Sequence, residues 1–507
     1  MSLHTSVDER RLAAILDSSR SRRAAAARQR LMTLVSALGG ETTVAHGADL
    51  LDQLSALLAD ADRSRVWLAL AVLRAELPLE EDVIRTARAI EFDGTIPALR
   101  AWLVPSVNPL HRGRELRRVE VATDVVLVDV EHTSHTSLAT GIQRVARQTV
   151  ARWAEHHDIT LVGWTHDHRA MRRLTPSEQR VALHGGSDDS AHEVGGDERV
   201  IVPWRATYVL PELATELHRT RRLLALARYA ESRTAVIGFD CVPLSSGETI
   251  GGEMGTAFAN NLAAVRHMGR VAAISHAAAL EYTGWREMLT GVGLPGPAIE
   301  PILLPVEATT PSAEALTRAR ADFLTDAMPL VLCVGSHEPR KNHLAVLHAA
   351  ELAWRAGSHF NLVFVGGNSW GTGGFRERMV ELQRAGRPVE SVSALSDDML
   401  WAAYAVARCV LFPSLNEGYG LPVAEALASG TPVITSGFGS MREIAGHGGA
   451  LLVDPRDDQA IAVALSTLLE DDEAHARLAD EARAAPTRTW DEYAADVWEY
   501  LVEGQRN

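Results

Sequence analysis

PSLNEGYGLPVAEALASGTPV, residues 413–433, decides how the rest of the chain is read. The preceding CVLF is a short apolar run of strand type, and a Gly-containing loop follows it. Pro422 stands where proline suits the first turn of a helix, which runs through VAEALAS and ends at Gly430. Gly418 and Gly420 allow the backbone to approach a ligand closely. The free N–H groups from Tyr419 through Leu421 to Val423, with a helix dipole worth about half a charge, make this end suited to an anion or to hydroxyls. Glu417 lies in the loop and Glu425 in the first turns of the helix. Taken alone, the pair reads as a turn residue and a carboxylate that complements the dipole; the flanking Gly-x-Gly-Leu-Pro pattern favours a ligand site.

Working outward, PLVLCVG, FNLVFVGG, PVESVSAL, TPVITS and GALLVD are further strand-like runs, each set off by a helical pattern or a loop. An earlier series has the same order: DVVLVDV (124–130), ITLVGW, RVIVPW, TAVIGF and RVAAIS. Valine-rich continuous runs suit strands covered on both faces, and strand–helix alternation implies doubly wound α/β domains. Two in tandem leave a cleft at the carboxyl ends of their strands, where such sheets bind ligands. Gly141 opens the helical stretch after the first of these strands, and Gly366 and Gly367 end another. Both positions suit a nucleotide-facing loop, and both also suit a plain turn.

The first hundred residues read as helices, with leucine stripes in GADLLDQLSALLADA and an almost wholly apolar centre in RVWLALAVLRAEL. The stretch 105–121, polar and arginine-rich, reads as a linker, and GGSDDSAHEVGGDER (185–199) as a mobile surface loop. The expected domains are therefore 1–118, helical with its linker; 119–310, the first α/β unit; and 311–486, the second.

At 507 residues with a formal charge of −15, the chain is expected to be multidomain and not to bind nucleic acid. Cys241, Cys333 and Cys409 form neither a metal pattern nor a disulfide framework. HDH at 166–168 has no evident third ligand partner. MSLHTSVDERR lacks the apolar centre of a signal peptide, and no run nears the roughly 18 apolar residues of a membrane span. A cytoplasmic location is expected.

Lys341, in VGSHEPRKN, is the single lysine among 50 basic residues. Genome composition accounts for the arginines; a compact ammonium serves where a planar guanidinium does not. Together with LVFVGG, the stretch from VSALSDDML to GALLVDP, and the Glu417–Glu425 spacing, this motif resembles the retaining nucleotide-sugar glycosyltransferases of family 4, with their E-x7-E signature and GT-B fold of two Rossmann-like domains. The likeness is close over roughly 330–455, looser at TGIQRVAR and IGFDCVPL, and absent over the N-terminal helices.

The resemblance implies that Glu417 contacts the donor sugar, helped by backbone N–H groups of Gly418 to Leu421, and that Glu425 binds the ribose. It also implies that Lys341 and Arg340 hold the diphosphate, with Gly141, Gly335, Gly366 and Gly367 around the donor and Ser393 to Leu395 flanking the base. The resemblance further implies that the last helix, 487–507, crosses back to the first α/β unit. Where relatives have His-Asp, this chain has Phe239-Asp240; Asp240 is the acceptor-side catalytic candidate, and His132 or His135 could replace the histidine. Ser336 stands where arginine is frequent, so Arg340 would act instead. No cofactor or metal is expected. The implied partners are a nucleotide-sugar donor and a hydroxyl acceptor, GDP-mannose first and a UDP- or dTDP-sugar second, since relatives with EPRKN include mannosyl- and rhamnosyl-transferases. The N-terminal helices are candidates for self-association or peripheral membrane contact. Two alternatives remain: a lapsed transferase acting as a scaffold, and a pyridoxal-phosphate phosphorylase, for which only one lysine is available.

Overall fold

The apolar runs become strands because a chain segment with no polar alternation needs cover on both faces. A computed structural model describes residues 7–18, 21–43, 46–103, 116–136, 141–186, 199–249, 251–324, 328–367, 371–393 and 395–504. Among these, the first sheet comprises β1 (Val119–Ala122), β2 (Val126–Asp129), β3 (Ile159–Trp164), β4 (Met171–Arg173), β5 (Val200–Pro203), β6 (Thr207–Leu210), β7 (Arg233–Gly238), β8 (Arg270–Ala273) and β9 (Ala298–Pro301). Their order is β1-β5-β4-β3-β2-β6-β7-β8-β9, parallel except for β4, which runs antiparallel to both neighbours.

The second sheet comprises β10 (Leu330–Val334), β11 (Asn361–Val365), β12 (Val389–Val392), β13 (Cys409–Phe412), β14 (Val433–Ser436) and β15 (Ala450–Val453). It is wholly parallel, in the order β12-β11-β10-β13-β14-β15. Its direction of winding reverses between β10 and β13, which is where a doubly wound sheet parts its loops to form a crevice. The expected pair of doubly wound domains and the helical N-terminal region are both present.

Two expectations need correction. The linker reading of 105–121 extends too far, because β1 begins at Val119 and pairs with β5, as Val119 with Val200. Four strands, β1, β4, β6 and β9, are absent from the expected series. β1 and β9 are half-buried segments at the sheet edges, and β4 is three residues long with two arginines, so none carries a run of buried valines. β6 is fully buried but follows β5 after only a tight turn. Most of the mobile-loop stretch (187–198) and of the linker (104–115) lies outside the described residues.

Among the described residues, six helices, from Val7–Leu16 to Thr95–Leu103, form the N-terminal region. The Arg63–Arg74 helix is buried continuously from Val66 to Leu73, as its all-round apolar sequence requires. Its core is continuous with that of the nine-stranded sheet. Polar contacts reinforce the join: Arg30 donates to the carbonyls of Leu73 (3.1 Å) and Arg117 (3.0 Å), and the Leu77 N–H to Arg169 O (2.8 Å). At the other end of the chain, the Trp490–Trp498 helix lies on the Gly141–His156 helix, with Trp153 Nε1 donating to Ala494 O at 2.8 Å. Among the described residues no helix is long and apolar enough to cross a membrane.

Candidate active site

The loops leaving β10 and β13 are tied together before any ligand is considered. Asn342 Nδ2 donates to the carbonyls of Pro413 (3.1 Å) and Pro455 (2.7 Å). The Arg340 carbonyl accepts from the Leu415 N–H at 2.9 Å and the Ser414 hydroxyl at 3.0 Å. This lacing brings Glu417 against both basic residues of EPRKN. Glu417 Oε1 accepts from Lys341 Nζ and from Ser414 Oγ, each at 2.6 Å, and Oε2 from Arg340 Nη1 at 2.5 Å. Burial pushes the Glu417 carboxyl up, but Arg340 and Lys341 more than offset it and hold the group at about 2. Arg340 also reaches Asn416 O (2.7 Å) and Glu338 (2.9 Å), and Lys341 Nζ lies 5.0 Å over the Phe412 ring.

Gly420, at φ 105°, caps the Leu421–Ala428 helix, a conformation open to glycine at little cost. The helix N-terminus, Gly418 to Leu421, thus opens beside Glu417. Gly335 and Gly366 lie side by side at the ends of β10 and β11, the Gly335 N–H donating to Val365 O (2.9 Å), and Gly367 O accepts from the His337 N–H (2.9 Å). Leu395 is half-buried just before the Asp397–Val406 helix, with Ala394 outside the described residues. The Tyr419 ring turns away from this group, its hydroxyl donating to Leu304 O at 2.8 Å in the segment joining the domains.

The other wall comes from the nine-stranded domain and approaches closely. A Cβ on Gly418 would lie 2.4 Å from Phe239 O and 3.0 Å from Asp240 Oδ2, so only glycine fits this contact. The Ser275 hydroxyl donates to Gly418 O at 2.6 Å, and Asn416 Nδ2 reaches Ser245 Oγ and Ser246 Oγ, both at 3.1 Å. Glu443 accepts from the His276 and Ala277 N–H groups (3.1 and 3.2 Å), so the six-stranded domain caps the His276–Gly291 helix. Gly141 abuts the second helix start, where a Cβ would lie 3.4 Å from Leu421 Cδ1. Glu425 is buried, with Oε1 accepting from Arg144 of the nine-stranded domain and Oε2 from the Tyr404 hydroxyl at 2.9 Å.

Asp240 is half-buried after β7, and its carboxyl is pushed up to about 6: desolvation and the nearby Glu281 and Glu417 carboxylates raise it, against the pull of Arg340. Of the two candidate histidines, His135 is committed elsewhere. Its Nε2 lies 3.2 Å from Glu178 and its pKa is raised to about 9, chiefly by that bond. His132 is exposed after β2, and its Nδ1 meets Gln143 Nε2 at 2.9 Å. The short helix that carries it rests on a buried ionic group. Arg219 Nη2 donates to Asp129 (2.9 Å) and Glu212 (2.8 Å), Tyr208 and Trp164 donate to Asp129, and Glu212 accepts the N–H groups of His132 (2.8 Å) and Thr133 (2.9 Å).

Glu417, Lys341, Arg340, Asp240, Gly418 and Glu425 are therefore brought to one cleft. Arg144, Ser275, Asn416, Glu443 and Tyr404 were not among the expected residues. Arg144 alone carries a local signal: it stands three positions after Gly141, in the first turn of the same helix.

Two doubly wound sheets facing across a cleft form the GT-B arrangement. Residues 318–485 match the family described as glycosyl transferases group 1. Over 347 residues the chain is 27% identical to WbdA, a serotype-specific mannosyltransferase of Escherichia coli; the match covers 64% of this chain. The chain spans about 40% of that relative's length. A D-inositol 3-phosphate glycosyltransferase of Xylanimonas cellulosilytica is 33% identical over 222 residues, 42% of this chain and 51% of that one. In structure, Anabaena HepE, solved with UDP and glucose, is similar at a TM-score of 0.54 and 15% identity, covering 75% of this chain and all of that one; this shows the shared fold.

Proposed function

We propose that the chain is a retaining, metal-independent hexosyltransferase that moves a sugar from a nucleotide-sugar donor to an acceptor hydroxyl. The observation that carries this reading is Glu417, ionised and clamped by Arg340 and Lys341 at the switch point. When a sugar–phosphate bond breaks, the leaving diphosphate gains charge, and two cations beside a helix N-terminus are aimed at that change. Glu417, an acceptor only, takes hydrogen bonds from the sugar hydroxyls, and Glu425 from the ribose.

Retention follows if the acceptor oxygen attacks on the face the phosphate leaves. The anomeric carbon–phosphate oxygen bond breaks, the new glycosidic bond forms, and the acceptor proton passes to the departing phosphate. Asp240 faces that side and orients the acceptor hydroxyl. GDP-mannose is the first donor, supported by EPRKN and by the name of the E. coli relative; a UDP- or dTDP-sugar is second. The acceptor is a glycan, a lipid-linked glycan or a specialised metabolite, and the setting is cytoplasmic.

Calorimetric titration with GDP, UDP and dTDP, without added metal, should show a preference for one nucleotide. Lys341→Ala and Glu417→Ala should each lose about 10²–10³-fold in turnover. Near wild-type rates in both variants would sink the assignment.

A further inference from the structure

Glu425 is buried in the six-stranded domain, yet its cationic partner belongs to the other domain. Its two oxygens face two different elements. Oε1 takes the Arg144 guanidinium from the first turn of the Gly141–His156 helix, and Oε2 takes the Tyr404 hydroxyl (2.9 Å) from the Asp397–Val406 helix. A carboxylate oxygen has room for more than one donor. Each oxygen can therefore accept one further hydroxyl, which is what a vicinal diol offers. The helix starts at Gly141 and Leu421 meet beside this pair, so Arg144 reaches Glu425 only while the domains are together.

We propose that Arg144 is a positioning residue for the donor: it holds Glu425 aimed at the ribose diol, and thereby makes ribose recognition depend on domain closure. This rests on the reading of Glu425 as the ribose-binding carboxylate. The charged and titratable groups facing Glu425 are Arg144 and Tyr404, which favour its ionised form, and Asp397, which disfavours it. Burial already pushes this carboxyl up. Without Arg144 it has no cation to offset that burial, takes up a proton nearer neutrality, and offers the diol fewer acceptor sites. Arg144 touches Glu425 rather than the reacting atoms.

The test compares wild type, Arg144→Ala, Arg144→Lys and Glu425→Gln in titrations with GDP and UDP and with their 2′-deoxy forms, after confirming folding by thermal melts. In wild type, affinity for the preferred ribonucleotide should exceed that for its deoxy form and stay flat between about pH 8 and about pH 6. Arg144→Ala should bind the ribonucleotide about tenfold more weakly and lose most of the ribose preference. Its affinity should fall further as pH is lowered through that window, because the protonated carboxyl accepts poorly. Arg144→Lys should keep the flat profile. Glu425→Gln should lose the preference with no pH dependence, and adding Arg144→Ala to it should cost little more. If Arg144→Ala keeps both the ribose preference and the flat profile, the inference fails while the donor reading stands. If wild type binds neither nucleotide, both fail together.

Discussion

In the nine-stranded domain the buried charges Asp129, Glu212 and Arg219 lie behind the cleft and hold up the turn that carries His132; in the six-stranded domain Glu417, Arg340 and Lys341 line the cleft itself. The first group is enclosed by protein and has no surface left to offer, with Arg219 completely buried. The second is placed where a ligand can compete for it. The same kind of interaction therefore does structural work in one half and binding work in the other. Arg219→Met should break the first group while leaving two carboxylates buried, costing about 3–5 kcal/mol of stability. In urea unfolding the variant should lose that much, yet its folded fraction should bind nucleotide as wild type does. Lys341→Met should behave in the opposite way, with turnover down about 10²–10³-fold and the unfolding midpoint nearly unmoved, since Glu417 keeps Arg340. If both variants unfold early and neither is selectively inactive, the distinction between the two groups collapses.

The same contrast governs what could be read from the sequence. All six strands of the parallel domain are legible: β10, β11, β13 and β14 are short fully buried runs closed by a glycine or proline, and the less buried edge strands β12 and β15 complete the alternation of strands with helices. In the other domain the edges β1 and β9 and the arginine-bearing β4 carry no such run, and β6 is separated from β5 by too short a turn to stand out. Glu417, Arg340 and Lys341 are legible because they leave strand ends within recognisable loops. The pairings of Arg144 with Glu425 and of Ser275 with Gly418 are not, since 281 and 143 positions separate the partners. Such contacts are set by how two rigid bodies meet, and no local periodicity encodes that. The buried Asp129–Arg219 pair is hidden for a related reason: a charged residue inside a helical pattern looks solvent-facing until its counter-charge is placed.

Two glycines of the six-stranded domain sharpen the point about the domain contact. At Gly418 an added Cβ meets the Phe239 carbonyl at 2.4 Å, and neither backbone can yield without moving a domain. At Gly446 an added Cβ meets nothing within 4 Å. Gly418→Ala should therefore cost about 1–3 kcal/mol of closed-state stability, seen as a loss of turnover of about tenfold or more with nucleotide affinity less affected. Gly446→Ala should leave both unchanged. Equal, small effects at the two positions would show that closure does not need this contact.

The most gradual expected effect comes from two carboxylates that face each other across the cleft and are displaced in opposite directions. Asp240 is raised from an ordinary 3.8 to about 6, so in the folded chain it keeps a proton that the unfolded chain has released. Its contribution to stability is full below about 4 and is lost as pH rises through about 6. Glu417 is lowered from an ordinary 4.5 to about 2, so its contribution is present above about 4.5 and is lost as pH falls toward 2. Each group changes stability by at most about 1.4 kcal/mol per pH unit. Stability followed by denaturant titration at successive pH values should thus decline on both sides of a maximum near the point where the two windows meet. Asp240→Asn should flatten the side toward neutrality, and Glu417→Gln chiefly the acid side, with a smaller change on the other because the Glu417 carboxylate helps raise Asp240. The assignment requires this separation, because the cation that depresses Glu417 is the same Arg340 whose pull on Asp240 is outweighed by burial. If either substitution flattens both limbs equally, the two carboxylates titrate as one coupled pair and the walls of the cleft do not act independently.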